Sequence, residues 1–289
     1  VRRAIAYLGP FLPESFYSRF CQNRNRLQIG LKRVRRQTGA HFLRRSANDP
    51  SVASLIRNVH AEVVVVAGLN EILKGQLLSM LPWTVNVHPS LLPEFRGPNP
   101  FFWILSHGEA TSGVTIHFID EGIDTGDVIA QTTFDIEPWL MCGELITRSI
   151  IVGAHLLVDV LRAWKGGPPA RHPQQGTGSY FGLPSLKDKI VTFDEDARTV
   201  FDRARAAAPH SGLSLWVPAD FWRSQVAGST RAVLAPAEGY LMLELFDAMP
   251  LCDIELGEAG LLRRTESGTV AIACQSGTVV FRYARLRRS

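Results

Sequence analysis

The sequence has little of what a metal cage or a disulfide framework needs. Its four cysteines, Cys21, Cys142, Cys252 and Cys274, are scattered with no CxxC pair, so they read as buried or free thiols, and no metal site is expected. Long hydrophobic runs are missing too. Ala61 to Leu69 is interrupted by Glu62, and Ile150 to Val160 by His155 and Asp159, well short of the roughly 20 apolar residues that cross a bilayer. The start, "VRRAIAYLGPF", is basic but its apolar stretch is too short for the core of a secretory signal, and the expected location is the cytoplasm. Lysine is scarce, with 26 arginines and five lysines, a bias that a GC-rich genome explains as readily as chemistry does. No serine or cysteine stands in a nucleophile-elbow sequence.

What is present is the composition of an ordinary folded protein, 46% hydrophobic and 20% charged. At 289 residues the chain suits a main domain with a smaller one attached. The net charge of +4 conceals an asymmetry: residues 1–45 carry +10, residues 46–199 carry −7 and residues 200–289 carry +1. The basic segment 19–45, with "RNRLQIGLKRVRRQ" at its centre, reads either as a site for a phosphorylated partner, tRNA included, or as a solvated helix face.

Strand and helix alternate along the first half. "RRAIAYLG" reads as a buried strand, residues 11–36 as mostly helical and "AHFLR" as a second strand. Asp49 and Pro50 open a helix as cap and first helical residue, and "AEVVVVAGL" has the continuous β-branched character of a parallel strand covered on both faces. An amphipathic helix "NEILKGQLLSML", the strand "WTVNVH" and the helix "NPFFWILSHG" follow. "SGVTIHFI" and "DVIAQTTFDI" pattern as paired strands around "DEGIDTG", and a long helix runs from about Gly143 to Trp164. The expected fold class is α/β, a mainly parallel Rossmann-like sheet with helices on both faces and an appended hairpin. "KGGPPARHPQQGTGS" reads as a linker or surface loop. A helix near Asp194 to Ala208 and short strand-like segments then suggest a smaller C-terminal β-barrel, which divides the chain into residues 1–175 and 176–289.

Ligands of such sheets bind outside the carboxyl ends of the strands, where Asn86 and His88 of "VNVHPSLLPEFRG" would stand on one face with Val87 on the other. The strand order returns "DEGIDTG" to the same edge and brings Asp124 toward His88. A carboxylate fixes one tautomer of a histidine and favours its cation, and an asparagine N–H can meet an oxyanion. That set suits attack of a neutral amine on an acyl carbon. An isolated Asn and His would more often be structural, so the convergence of three groups carries the reading.

These residues resemble the folate-dependent formyltransferases, a family that includes methionyl-tRNA and nucleotide-sugar N-formyltransferases. The resemblance rests on "NVHPSLLPEFRG", "GVTIHFIDEGIDTGDVI" and "VVVVAGLNEIL" and covers about Ala61 to Asp135. It implies catalytic roles for Asn86, His88 and Asp124. It also implies 10-formyl-tetrahydrofolate as donor, with the pterin held by backbone around Leu69, Asn70, Glu71, Ile72 and Leu73 and around Asp120, Glu121, Gly122 and Ile123. No metal is implied. Ser90, Arg96 and Gly97 are the candidates for acceptor binding, with Arg96 read either as a contact to an anionic acceptor or as a cap on the turn after Pro93. Phe101, Phe102 and Trp103 read as core, and His107 and His117 as a metal pair only by accident.

Where purine-pathway members carry a Gly/Ser-rich phosphate loop after the first strand, this chain has "YLGPFLPESF". The family's Ile-Asp-Trp at the domain junction is here the looser "IVTFDEDA". The C-terminal part, at +1, lacks the basic charge with which such a domain would hold RNA. The expected acceptor is therefore a primary amine of a small molecule, such as an aminosugar nucleotide or a specialised-metabolite precursor. Methionyl-tRNA transfer and formyl-tetrahydrofolate hydrolysis stand as alternatives, and a homodimer is compatible with the sequence.

Overall fold

The computed structural model describes residues 36–37, 46–69, 71–164, 167–191, 193–208, 211–220, 228–231, 238–251, 256–264 and 269–286. The expected strands "RRAIAYLG" and "AHFLR", the helix over 11–36 and the basic segment 19–45 lie outside the described residues, except that Arg36 and Gln37 are helical. Asn70 is outside them as well.

Asp49 caps the first helix, α1 (Pro50–Asn58), by accepting the N–H of Ser51 at 2.8 Å, with Pro50 at its first position. Strand β1 (Val63–Val66) follows, then a short helix α2 (Gly75–Leu78) and β2 (Trp83–His88). The sequence pattern over "NEILKGQLLSML" predicts a longer helix than α2. Its first residues are drawn into an extended loop by the chain before α1: Glu71 accepts the Ser46 hydroxyl at 2.6 Å and the Ala47 N–H at 3.1 Å, and Asn48 bonds the Ile72 carbonyl and the Lys74 N–H, both at 3.0 Å. These long-range bonds replace helical ones.

Helix α3 (Pro100–Ser106), strands β3 (Thr111–Phe118) and β4 (Val128–Asp135), and the long helix α4 (Cys142–Ala163) complete the first half. The sheet order is β1-β2-β3-β4. Strands β1 and β2 are parallel, with Val66 opposite Asn86, and β3–β4 is the appended hairpin, antiparallel to β2. Val85 and Ile116 are fully buried and pack with Val63, Phe118, Val160 and Trp164. Full burial of one such side chain stabilises by about 1.5–3 kcal/mol. Val87 joins that cluster, and α4 comes close there, since a Cβ on Gly153 would lie 3.1 Å from Val87 Cγ1. Because Val85 and Val87 take the helix side, strand alternation sends Asn86 and His88 to the other face.

A second compact unit comprises residues 101–110, 136–146 and 183–289. Helix α5 (Ala197–Ala207) is capped by Asp196, which accepts the Thr199 N–H at 2.7 Å. Strands β5 (Leu213–Pro218), β6 (Gly228–Arg231), β7 (Tyr240–Leu251), β8 (Leu261–Arg264), β9 (Val270–Ala273) and β10 (Thr278–Leu286) form a curled antiparallel sheet in the order β5-β7-β10-β9-β8-β6. Within this unit Arg205, almost wholly buried, bonds Asp202 at 2.6 Å and the Leu140 carbonyl at 3.0 Å. No helix among the described residues is long and apolar enough to cross a membrane.

Candidate active site

His88 closes β2 and is buried. Its Nε2 lies 3.0 Å from the carbonyl of Phe95, and a carbonyl only accepts, so Nε2 carries a proton. That bond fixes the ring and turns Nδ1 toward Asp124, whose Oδ1 is 3.5 Å away. Asp124, 14% exposed at the side chain, accepts the Gly97 N–H on Oδ2 at 3.0 Å and an Asn86 N–H on Oδ1 at 3.2 Å. The three predicted groups therefore meet, and Gly97 meets them through its backbone.

A fourth group belongs to the cluster. His117 stands opposite Asn86 in the β2–β3 register. Its Nδ1 donates to the Phe118 carbonyl at 2.8 Å, which leaves Nε2 to accept the second Asn86 N–H at 3.2 Å, and the same Nε2 is 3.6 Å from Asp124 Oδ1. Both N–H groups of Asn86 are thus engaged, one by His117 and one by Asp124. His117 thus serves as an acceptor for Asn86, and among the described residues no group of side chains is arranged to hold a metal. The sequence signal for His117 is faint, since it merely follows Thr115 at the alternate positions of "GVTIHFI".

Electrostatics revise one expectation. Burial pulls the His88 pKa below its ordinary 6.5, and it outweighs the carboxylate of Asp124 and the bond to Phe95, which pull the other way. The neutral ring is favoured, with its Nδ1 lone pair turned to the site, rather than the cation that the sequence reading prefers. Asp124 moves down to about 2: burial alone would raise it, but the imidazoles of His117 and His88 beside it and the Gly97 N–H together prevail. The cluster therefore holds a committed carboxylate beside an imidazole poised to accept a proton.

Strain is concentrated at the same place. Asp124 and Phe95, the two residues that touch the ring nitrogens of His88, have φ of 55° and 57°, a left-handed backbone that costs side-chain-bearing residues energy. Asp124 is held by Gln174, whose Nε2 donates to the Asp124 and Gly126 carbonyls, each at 2.9 Å. Phe95 is held by Ser179, whose Oγ accepts the Phe95 N–H at 2.8 Å. Gly126 owes its identity to close approach, since a Cβ there would lie 1.9 Å from the Phe118 carbonyl oxygen.

The remaining predicted residues fall into three places. Ser90 is fully buried, its hydroxyl donating to the Glu94 carbonyl at 2.6 Å. Arg96 is half-buried, its Nε and Nη2 donating to Gln174 Oε1 at 3.3 and 3.1 Å. Gly75, at the start of α2, comes close to the 120–123 loop, since a Cβ on it would lie 3.2 Å from Glu121 Oε1. Ile72 (68%) and Ile123 (39%) are exposed, and Asp120 fixes its loop by accepting the Gly122 N–H and the Thr125 hydroxyl.

The formyl transferase family model matches residues 19–161. Methionyl-tRNA formyltransferase of Syntrophus aciditrophicus is 36% identical over 57% of this chain and 53% of its own length. That of Anaeromyxobacter dehalogenans is 31% identical over 80% of this chain and 69% of its own length. The chain thus spans little more than half of the first of these relatives. Among solved structures, an N-formyltransferase of Helicobacter canadensis in complex with folinic acid and dTDP-3-aminofucose has a TM-score of 0.58 at 17% identity, over 89% of this chain and 82% of that one. That likeness concerns the fold.

Proposed function

The chain belongs to the formyl transferase family, and from that premise we propose that it moves a formyl group from 10-formyl-tetrahydrofolate to a primary amine. The observation that carries the reading is His88, ring fixed by Phe95 and Nδ1 turned to Asp124 and Asn86. A formyl group placed there meets an Asn86 N–H released from His117 or Asp124, which stabilises the negative charge developing on its oxygen. The neutral Nδ1 of His88 takes the proton of the attacking amine. The imidazolium so formed lies against the ionised Asp124, which favours the proton's staying there until it is passed to N10 of the departing tetrahydrofolate as the bond from N10 to the formyl carbon breaks. Loops 71–73 and 120–123 hold the donor against Ile72 and Ile123. Arg96 faces the acceptor, and residues 1–175 contain the catalytic part.

For the acceptor we favour a small molecule. In the second unit Arg231, Arg282 and Arg285 each face a carboxylate, of Glu258, Asp247 and Glu244 respectively, so these arginines offer little uncompensated charge to a phosphate backbone. The second reading is methionyl-tRNA as acceptor, favoured by the names of the sequence relatives. Release of tetrahydrofolate from 10-formyl-tetrahydrofolate should be measured with dTDP-3-aminofucose, simple aliphatic and aromatic amines, and initiator methionyl-tRNA. Release that depends on a small amine supports the first reading. Release only with charged tRNA, falling steeply with salt, replaces it by the second, and formate release without any amine identifies hydrolysis.

A further inference from the structure

The stretch that follows α4 has the composition of a linker, yet it is bonded to both strained residues that touch His88. From Gln174 to Phe181 it runs alongside residues 93–97: Arg96 N–H donates to the Ser179 carbonyl at 3.0 Å, Phe181 N–H to the Arg96 carbonyl at 3.0 Å and Ser179 N–H to the Pro93 carbonyl at 3.2 Å. Ser179 Oγ receives the Phe95 N–H and donates to Glu94 Oε2 at 2.5 Å. The rings of Phe95 and Phe181 stack at 5.7 Å.

Gln174 is the pivot of this strap. Its two N–H groups hold the carbonyls of Asp124 and Gly126, and its one oxygen receives two N–H groups of Arg96. Four bonds of both kinds at one side chain require an amide of this length. A glutamate keeps the acceptor for Arg96 but turns an anion on two carbonyl oxygens. A leucine keeps the volume and loses all four bonds. Released from Gln174, the left-handed Asp124 has only its carboxylate contacts to hold it.

We propose that Gln174 is a positioning residue with two separable duties: it fixes the Asp124 backbone against His88, and it orients the Arg96 guanidinium toward the acceptor. The catalytic part of this inference rests on the formyl-transfer reading; the tether itself does not. Displacing a catalytic group by about 1 Å costs on the order of a hundredfold in rate.

The test compares Gln174→Leu and Gln174→Glu with the wild-type chain by steady-state formyl transfer and by hydrogen–deuterium exchange of the 119–127 segment without substrate. Both variants should exchange faster there and lose about tenfold to a hundredfold in kcat. Gln174→Glu should keep the acceptor KM near the wild-type value, measured with dTDP-3-aminofucose or methionyl-tRNA, whichever is formylated, while Gln174→Leu raises it severalfold. A role in stability alone would not split kcat from KM between the two variants. Wild-type exchange over 119–127 in both variants overturns the tether, and an unchanged kcat in Gln174→Glu overturns the catalytic duty. If the wild-type chain formylates no amine, the transfer reading fails by itself, and faster exchange in the variants still supports the tether. Should Gln174→Leu not fold, Gln174→Glu decides by the same readouts.

Discussion

His88 and Asp124 face each other across 3.5 Å, Nδ1 to Oδ1, while the opposite nitrogen of the ring is tied to the Phe95 carbonyl at 3.0 Å. The distance is longer than a hydrogen bond. One edge of the imidazole is thus anchored by the backbone, and the edge that can do chemistry is left beside a charge. Removing the side chain of His88 or of Asn86 should be expensive for turnover and cheap for folding. His88→Ala and Asn86→Ala should each lose about 3 kcal/mol of barrier stabilisation, a hundredfold or more in kcat, with far-UV circular dichroism unchanged. A near-normal rate in His88→Ala would falsify the assignment.

The pH profile follows from the two shifts. His88 has its pKa lowered by burial, so as the base it is active above that value, and the acid limb of kcat/KM should lie below 6.5. Asp124 raises the His88 pKa; Asp124→Asn should therefore move the limb to still lower pH as well as reduce the rate. A limb moving upward in Asp124→Asn contradicts this electrostatic order.

Stability carries the same signs. A histidine whose folded pKa is depressed leaves the unfolded chain binding more protons below 6.5, so stability falls as pH falls from there. Asp124, lowered from 3.8 to about 2, contributes stability that is present above pH 3.8 and lost as pH falls toward 2, about 2 kcal/mol in all. Urea unfolding between pH 5 and 2 should show Asp124→Asn converging on the wild-type chain as acid removes this contribution. A constant gap across that range would assign the effect to something other than titration.

His117 lends itself to a substitution that leaves the three predicted residues in place. Its Nε2 accepts an Asn86 N–H, and His117 is 2% exposed. His117→Leu should leave that N–H without its partner, at about 1–3 kcal/mol of stability. It should also lower kcat, because Asn86 is then oriented by Asp124 alone. An unfolding midpoint and kcat equal to those of the wild-type chain would mean that the bond positions nothing.

How far the sequence was readable differs residue by residue. Asn86 and His88 announce themselves by their alternation with Val85 and Val87 at the end of an apolar strand, and Asp124 by a turn that the strand order returns to the same edge. His117 enters through the pairing of β2 with β3, which places it opposite Asn86, and that register is invisible in a run that otherwise alternates normally. Gln174 is 50 residues beyond the Asp124 carbonyl it holds, in a Pro- and Gly-rich stretch whose composition signals a loop and not what the loop grips. The shortened helix α2 has the same origin: Glu71 and Ile72 are taken by partners more than 20 residues away, at Ser46 and Asn48. Local pattern reads local structure, and these contacts are not local.

Gly97 concentrates that lesson in one position. Its φ of 110° lies where side-chain-bearing residues are strained, its N–H holds Asp124 Oδ2 at 3.0 Å, and a Cβ built on it would lie 2.1 Å from the Phe181 carbonyl oxygen. An alanine there must therefore either push the strap away or rotate the peptide whose N–H faces Asp124. Backbone strain of this kind costs about 1–3 kcal/mol before the clash is counted. Gly97→Ala should lower the unfolding free energy by at least that much and reduce kcat more than a comparably destabilised core variant such as Val63→Ala. Equal activity of the two variants at equal stability would show that the Gly97 N–H contributes to folding and not to the placement of Asp124.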